Sequence, residues 1–311
     1  MVRQILVLGG TGFVGRHICA KLAAQQISLT VPTRRQGRAG SLITLPQLRL
    51  VEADIHDRTQ LQRLVAGHDA VINLVAILQG TQTAFERVHV ELPRSLAQAC
   101  KQTGVRRLVH ISALGADSDH PERLPSMYLR SKSKGEQVLR QAGLDLTVIR
   151  PSVIFGAEDR FLNTFAQLQR VAPFVPLAGA SARLQPVWVE DVARAVVACL
   201  VGRPHAQESI GQTYEAAGPD IYTLRELVQW SGRWADWGRG QGRLVWPLPD
   251  ALARLQALLM EAMPGEPLLS RDNLDSLSVP NVATGAHPGL SALGVEVAAV
   301  QAIAPGYLGK H

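Results

Sequence analysis

Two hydrophobic periods alternate along the first half of the chain. Short apolar runs, beginning with Ile5-Leu6-Val7-Leu8, predict strands at about 4–9, 27–33, 48–53, 70–76, 106–112 and 145–150. Between several of them the apolar positions recur at helical spacing, over 13–26, 58–66, 92–103 and 127–141. A strand with no polar alternation is buried on both faces. In a chain that alternates such strands with helices, this means βαβ units and a parallel sheet. Right-handed crossovers leave an α/β fold, a doubly wound parallel Rossmann sheet, as the economical topology.

After Gly156 the rhythm changes. Helical patterns cover 159–172, 189–200, 223–234 and 249–263, interrupted by Pro173, Pro176 and the loop 238–242. The organisation predicted is a dinucleotide-type domain over 1–156 and a smaller C-terminal lobe over 157–311. The lobe is interleaved with the first domain and does not fold alone. Residues 264–311, with many Pro and Gly and few aromatics, are weakly patterned and read as loosely packed. Within 249–263, Leu252, Leu255, Leu258 and Leu259 form one stripe. The default expectation is that this stripe enters the protein's own core, with a partner protein or a membrane surface as the alternative.

Composition narrows the classes. Of 311 residues, 46% are hydrophobic and 19% charged, as in a packed globular chain. The net charge of +6 comes from 27 Arg and five Lys spread along the sequence. Without a clustered basic patch, nucleic acid is not an expected partner. The three cysteines, Cys19, Cys100 and Cys199, have neither CxxC nor metal-ligand spacing and read as buried small residues. The N-terminal apolar run is too short for a signal peptide, and no stretch is long enough to span a bilayer. A cytoplasmic location is expected.

Candidate chemistry begins at Gly9-Gly10-Thr11-Gly12-Phe13-Val14-Gly15, between the first strand and the first helix. Glycines at 9, 12 and 15 allow a sharp turn, let a pyrophosphate approach the backbone, and let helix and strand pack closely. The anion would then rest on the free N–H groups of the helix start. Where an acid commonly selects a free ribose 2′-hydroxyl, the second strand ends in Thr33-Arg34-Arg35. Arg34 and Arg35 therefore suit a 2′-phosphate, putting NADP(H) ahead of NAD(H), against the alternative of a solvated basic loop. Asp54 and Ile55 end the third strand beside the expected adenine. Val75 and Ala76 follow the fourth, where the nicotinamide ribose would lie. Asn73 serves either a ligand or its own backbone.

Tyr128 and Lys132 stand four apart on a predicted helix, so phenol and ammonium share a face. The ammonium would lower the phenol pKa and could also hold a ribose hydroxyl. Ser112, after the fifth strand, either polarises a carbonyl or bonds its own strand end. His110 reads as a packing residue.

Glycine motif and Tyr128-x-x-x-Lys132 together resemble the extended, atypical branch of the short-chain dehydrogenases/reductases. Arg150-Pro151-Ser152-Val153-Ile154-Phe155-Gly156 and Val187-Trp188-Val189-Glu190-Asp191-Val192-Ala193 are similar to later segments of that branch. Gly135-Glu136 and Glu158-Asp159-Arg160-Phe161-Leu162-Asn163 are similar, more narrowly, to the nucleotide-binding accessory subunits of respiratory complex I and their bacterial relatives. The resemblance implies Tyr128, Lys132 and Ser112 as catalytic residues and adds Pro151 and Ile154 to the cofactor contacts. It implies either an oxidoreductase of a small carbonyl or quinone-like substrate or a non-catalytic subunit. The latter would be joined to a respiratory or quinone-linked partner, peripheral to the inner membrane; a nucleotide-sensing regulator is a third reading. The family's small-residue cluster after the fifth strand is reduced here to a single serine. The substrate pocket is expected among Phe155, Phe161, Trp188 and the surroundings of Leu177.

Overall fold

A computed structural model describes residues 2–35, 37, 40–202, 204–237, 240–262 and 269–309. Its strands β1 (Gln4–Leu8), β2 (Ser28–Thr33), β3 (Leu48–Glu52), β4 (Ala70–Asn73), β5 (Arg107–Ile111) and β6 (Asp145–Pro151) are joined by Thr213–Ala216 in one sheet. The order is β3-β2-β1-β4-β5-β6 and then Thr213–Ala216, all parallel. The order reverses between β1 and β4, the point at which such sheets take ligands beyond their carboxyl ends.

The helices that matter here are α1 (Phe13–Ala24), α2 (Arg58–Val65), α3 (Gln82–Glu86), α4 (Leu92–Thr103), α5 (Met127–Arg140), α6 (Leu162–Val171) and α7 (Val189–Ala198). β1 shows why the sheet sits between them. Ile5 and Val7 enter one core with Ile18 and Leu22 of α1 and Val192 and Val196 of α7. Leu6 and Leu8 enter the opposite core with Leu61 of α2, Leu96 of α4 and Leu139 of α5. A strand with period-two side chains can be apolar throughout only when both faces are covered.

The chain leaves the sheet after β6 and builds a third core from Phe155, Leu162, Leu177, Leu227 and Val245. It returns to the sheet with α7 and Thr213–Ala216, then re-enters the lobe with the helix Leu224–Trp234. Thr213–Ala216 was not foreseen from the sequence, because Thr-Tyr-Glu-Ala reads as polar. Its Glu215 is buried because the carboxylate accepts from Thr284 N (2.9 Å), Thr284 Oγ1 (2.6 Å) and Gly285 N (3.0 Å).

Two expectations are corrected. The weakly patterned C-terminal region is not loose: Leu290, Leu293 and Val295 are buried in the core that includes α1 and α7, and Val300, Ala304 and Leu308 in the lobe. The burial is carried by single residues between short turns, which leaves no period to read. The helix predicted over 249–263 is Asp250–Glu261, while 263–268 lie outside the described residues. Its leucine stripe is not core: Leu252, Leu255, Leu258 and Leu259 are 47–61% exposed, whereas Ala253 and Ala257 are buried. Periodicity finds the stripe but not what it faces, and here two alanines form the inward side.

Candidate functional site

The glycine motif turns where the sheet order reverses. Gly9 has φ +84°, and a Cβ there would press on Leu74 and the Val75 amide at 3.2–3.3 Å. At Gly15 a Cβ would lie 2.4 Å from Gly9 O, so only glycine lets α1 start this close to the loop. Gly12 N donates to Gly9 O at 3.0 Å, and Gly12 caps α1 with no side chain on the first amides. The N–H groups around Thr11, Phe13 and Val14 are therefore offered at the positive end of the helix dipole. A cradle that a Cβ would fill, with an uncapped helix start behind it, fits a dinucleotide pyrophosphate.

The other cofactor candidates all follow carboxyl ends of parallel strands and so lie along one edge of the sheet. Arg34 and Arg35 are exposed after β2, and Thr33 Oγ1 shapes the turn by donating to Arg35 O (3.0 Å) and accepting from Arg35 N (3.3 Å). Burial, then the charges of Arg87 and Arg34, push His56 below its ordinary pKa. Arg87 thus adds a cation the sequence did not single out. Asp54 Oδ1 accepts from His56 N at 3.0 Å, which engages one of its oxygens in its own turn; Ile55 beside it is half-buried. Asn73 is 1% exposed, with Nδ2 3.2 Å from His110 Nδ1 and Oδ1 accepting from Val75 N at 3.2 Å. Its own-backbone role is the one observed. Ala76 is exposed, Pro151 is buried and Ile154 half-buried.

α5 carries the other half. Lys132 is 2% exposed and donates to Ile111 O at 2.7 Å, at the end of β5. The adjacent Ser112 is 3% exposed, and its Oγ has no hydrogen-bond partner among the described residues. Burial lowers Lys132 to about 8, with Glu136 opposing the shift. Tyr128 lies edge-on to Phe85 (6.3 Å) and His89 (5.7 Å). Its phenol is pushed up to about 12 by burial. The expectation that Lys132 lowers this pKa is corrected, since desolvation prevails and the ammonium is turned to the Ile111 carbonyl.

The supports of α5 were largely missed from the sequence. Glu136 is fully buried, its carboxylate held by Arg150 Nε (3.0 Å) and Nη2 (2.6 Å) and by Arg140 Nη2 (2.7 Å). α3 runs through a π-helical turn, Arg87–Glu91, into α4. A Cβ at Gly135 would sit 1.9 Å from His89 O, so the glycine sets the crossing. His89 Nε2 accepts from Ile77 N (3.1 Å), which places the ring proton on Nδ1 facing Ser131 Oγ (2.8 Å). Burial, aided by the Lys132 charge, lowers His89 to about 3, so it stays neutral. From the C-terminal region, Asp272 accepts from Met127 N (2.5 Å) and Tyr128 N (3.1 Å). Asn281 Oδ1 accepts from Ser152 Oγ (2.5 Å) and Val153 N (3.1 Å). No local pattern marks either residue, because each acts on an element more than a hundred positions away.

The expected pocket residues are redistributed. Phe155 and Leu177 are lobe core, with Phe161 and Trp188 packed against it. Aromatic residues fill this lobe from within.

Such a sheet, glycine turn and Tyr-Lys helix define a nucleotide-binding protein of the short-chain dehydrogenase/reductase type. The family model described as NAD(P)H-binding matches residues 9–202, and the chain belongs to that family. It is 32% identical over 298 residues to the mouse mitochondrial NADH dehydrogenase [ubiquinone] 1 alpha subcomplex subunit 9, covering 93% of this chain and 75% of that one. A ceramide reductase of Caulobacter vibrioides is 29% identical over 197 residues, 62% of this chain and 60% of that one. In fold it is similar to an NADPH-dependent quinone oxidoreductase of Escherichia coli solved with NADPH. That match has a TM-score of 0.75 at 17% identity, over 98% and 99% of the two chains. Among the described residues no helix is long and apolar enough to cross a membrane.

Proposed function

We propose that this chain is an NADPH-preferring oxidoreductase acting on a small carbonyl or quinone-like compound. The observation that carries the reading is a buried amine, Lys132, one turn from Tyr128 and beside the unpartnered hydroxyl of Ser112. Burying an amine that titrates near 8 is costly, and groups so placed suit proton transfer near neutral pH. Reductase relatives such as that of Caulobacter vibrioides support a carbonyl substrate.

When bound, the nicotinamide supplies the hydride. Tyr128 Oη gives a proton to the substrate oxygen, and Ser112 Oγ donates a hydrogen bond to that same oxygen. Lys132 keeps its contact with Ile111 O and offers its other N–H groups to the ribose and to the developing phenolate. Arg34 and Arg35 would hold the 2′-phosphate, and the amides of Thr11, Phe13 and Val14 would hold the pyrophosphate.

The second reading is a non-catalytic nucleotide-binding subunit, fixed to a respiratory or quinone-linked partner at the periphery of the inner membrane. The similarity to the mouse complex I subunit over most of the chain favours it, as does the high Tyr128 pKa.

One experiment separates the readings. The NADPH-loaded protein is mixed with aldehydes, ketones and quinones while nicotinamide absorbance is followed. Turnover that falls by about 10²–10⁴-fold in Tyr128→Phe, with nucleotide affinity unchanged, is the expected result. Turnover indifferent to Tyr128→Phe refutes the mechanism. Silence across the panel with nucleotide retained selects the subunit reading.

A further inference from the structure

A strand pair of the lobe and the helix that follows it turn apolar residues outward. In the parallel pair Phe174–Leu177 and Leu244–Pro247, Leu244 stands opposite Phe174 and Trp246 opposite Pro176. Alternation along the strands exposes these four and buries Val175, Leu177 and Val245. Leu248 N then donates to Leu177 O at 2.9 Å, and the helix Asp250–Glu261 follows. Its four leucines span roughly a third of the helix circumference, opposite the buried Ala253 and Ala257. This inverts the usual arrangement of a surface helix, whose larger apolar side chains face inward.

Charge along the two strands has one sign. No acidic residue occurs between Asp159 and Glu190, or between Asp236 and Asp250, the stretches that carry the two strands. Arg170 and Arg243 stand there, each next to an exposed apolar residue, Val171 and Leu244. Arg170 lies over the Trp237 ring at 5.7 Å, and Arg243 donates to Gln169 O at 3.1 Å. Among the described residues neither is paired with a carboxylate. On the helix itself Arg254 is paired with Asp275 (3.1 Å) and Glu261 with Arg271 (2.9 Å), and Asp250 at its N-terminus is an exposed carboxylate. Leucines, an exposed tryptophan and uncompensated arginines are the set that settles at the interface of an anionic bilayer.

From this we infer that the outward face of Phe174–Leu177, Leu244–Pro247 and Asp250–Glu261 docks the protein on an anionic lipid bilayer. The inference goes beyond the nucleotide reading and holds whether or not the site turns over. It also places the membrane close to α5: the two ion pairs join the leucine helix to Arg271–Leu277, whose Asp272 holds the Tyr128 amide.

The test uses the whole chain and flotation with vesicles of phosphatidylglycerol and phosphatidylcholine in about equal parts, against phosphatidylcholine alone. Wild type is expected to float with the anionic vesicles. Lipids brominated in their acyl chains should quench a fluorescence component that Trp246→Phe removes. Leu255→Ser combined with Leu259→Ser should lower partitioning by at least about tenfold. Arg170→Gln with Arg243→Gln should abolish the preference for anionic lipid. Unchanged melting curves would show that both double variants fold. Absence of flotation by wild type, or flotation indifferent to the leucine changes, overturns the inference. So does a dimer in light scattering that the leucine changes dissociate while vesicles bind nothing.

Discussion

α5 and the helix Asp250–Glu261 are opposite cases. α5 buries a lysine, a glutamate and two serines, Lys132, Glu136, Ser131 and Ser133, at 0–5% exposure. The later helix exposes four leucines and buries two alanines. Each reverses the usual partition of charged and apolar residues, and they are held in different ways. Every polar group of α5 named here has a specific protein partner, except those directed at the site. The leucines are about half exposed and join none of the hydrophobic cores among the described residues. On the two proposals made above, reversed partition serves chemistry in the first helix and a contact surface in the second, and the distinguishing feature is whether hydrogen bonds answer the inversion.

The comparison can be broken at its strongest point first. Glu136→Ala leaves Arg150 buried and unpaired, and should cost about 3–5 kcal/mol, read from the urea midpoint. The Glu136 pKa is held below its ordinary value, by Arg150 and Arg140 against the effect of burial. Its stabilisation is therefore present above the unfolded pKa and disappears as pH falls through the folded one. The gap between wild type and variant should narrow on acidification below about 4.5. A cost under about 1 kcal/mol would show that α5 is not anchored by this cluster.

Lys132 gives the next effect. Its pKa falls from 10.5 to about 8, so the burial penalty is fully present below about 8 and is relieved as pH rises toward 10.5. Between those values the unfolded chain holds the extra proton, and stability gains with pH. The wild type should gain about 3 kcal/mol relative to Lys132→Met across the window. The difference must be used, because buried Cys19, Cys100 and Cys199, with pKa values raised to about 11–12, act in the opposite direction above 9. Parallel curves would place the amine in water.

How much of this contrast was legible beforehand depends on distance along the chain. The parallel sheet was readable because the apolar runs of β1 to β6 are each local, and so were the glycine turn and the Tyr128–Lys132 spacing. Thr213–Ala216 was not, since Glu215 is tolerable in a buried strand only because Thr284 and Gly285 satisfy it. Asp272 and Asn281 escaped for the same reason. The leucine stripe was legible as a stripe, but its direction is fixed by the alanine face and by Arg254 and Glu261 pairing with neighbours.

Smaller effects sharpen the picture. If Arg34 grips a 2′-phosphate, Arg34→Glu should reverse an NADPH preference worth about 1.5–3 kcal/mol, or about 10- to 100-fold in affinity, by calorimetric titration. Equal affinities for NADPH and NADH in wild type would dispose of the preference. Asp272→Ala should cost about 1 kcal/mol in thermal unfolding and speed amide exchange at Met127 and Tyr128. Unchanged exchange there would mean that Ser126, whose side chain accepts from Leu129 N at 3.1 Å, starts α5 alone. Smallest is Leu252→Ser, expected to stay within about 0.5 kcal/mol in solution because the side chain is already half in water. A loss several times larger would return the leucines to the core.

The placement of Asp272, Asn281 and Thr284 has a consequence for biosynthesis. A ribosome releases the chain from its N-terminus, so the glycine turn and the Tyr128 helix are made long before the residues that tie them down. While residues 272–285 are still in the exit tunnel, Glu215 lacks the Thr284 and Gly285 donors, and the Tyr128 amide lacks its carboxylate. A nascent chain arrested near residue 260 would have nearly the whole sheet available, yet neither closure could form. The nucleotide could meet its loop before the reacting end of the site is secured, and final assembly would wait until residues 272–285 emerge.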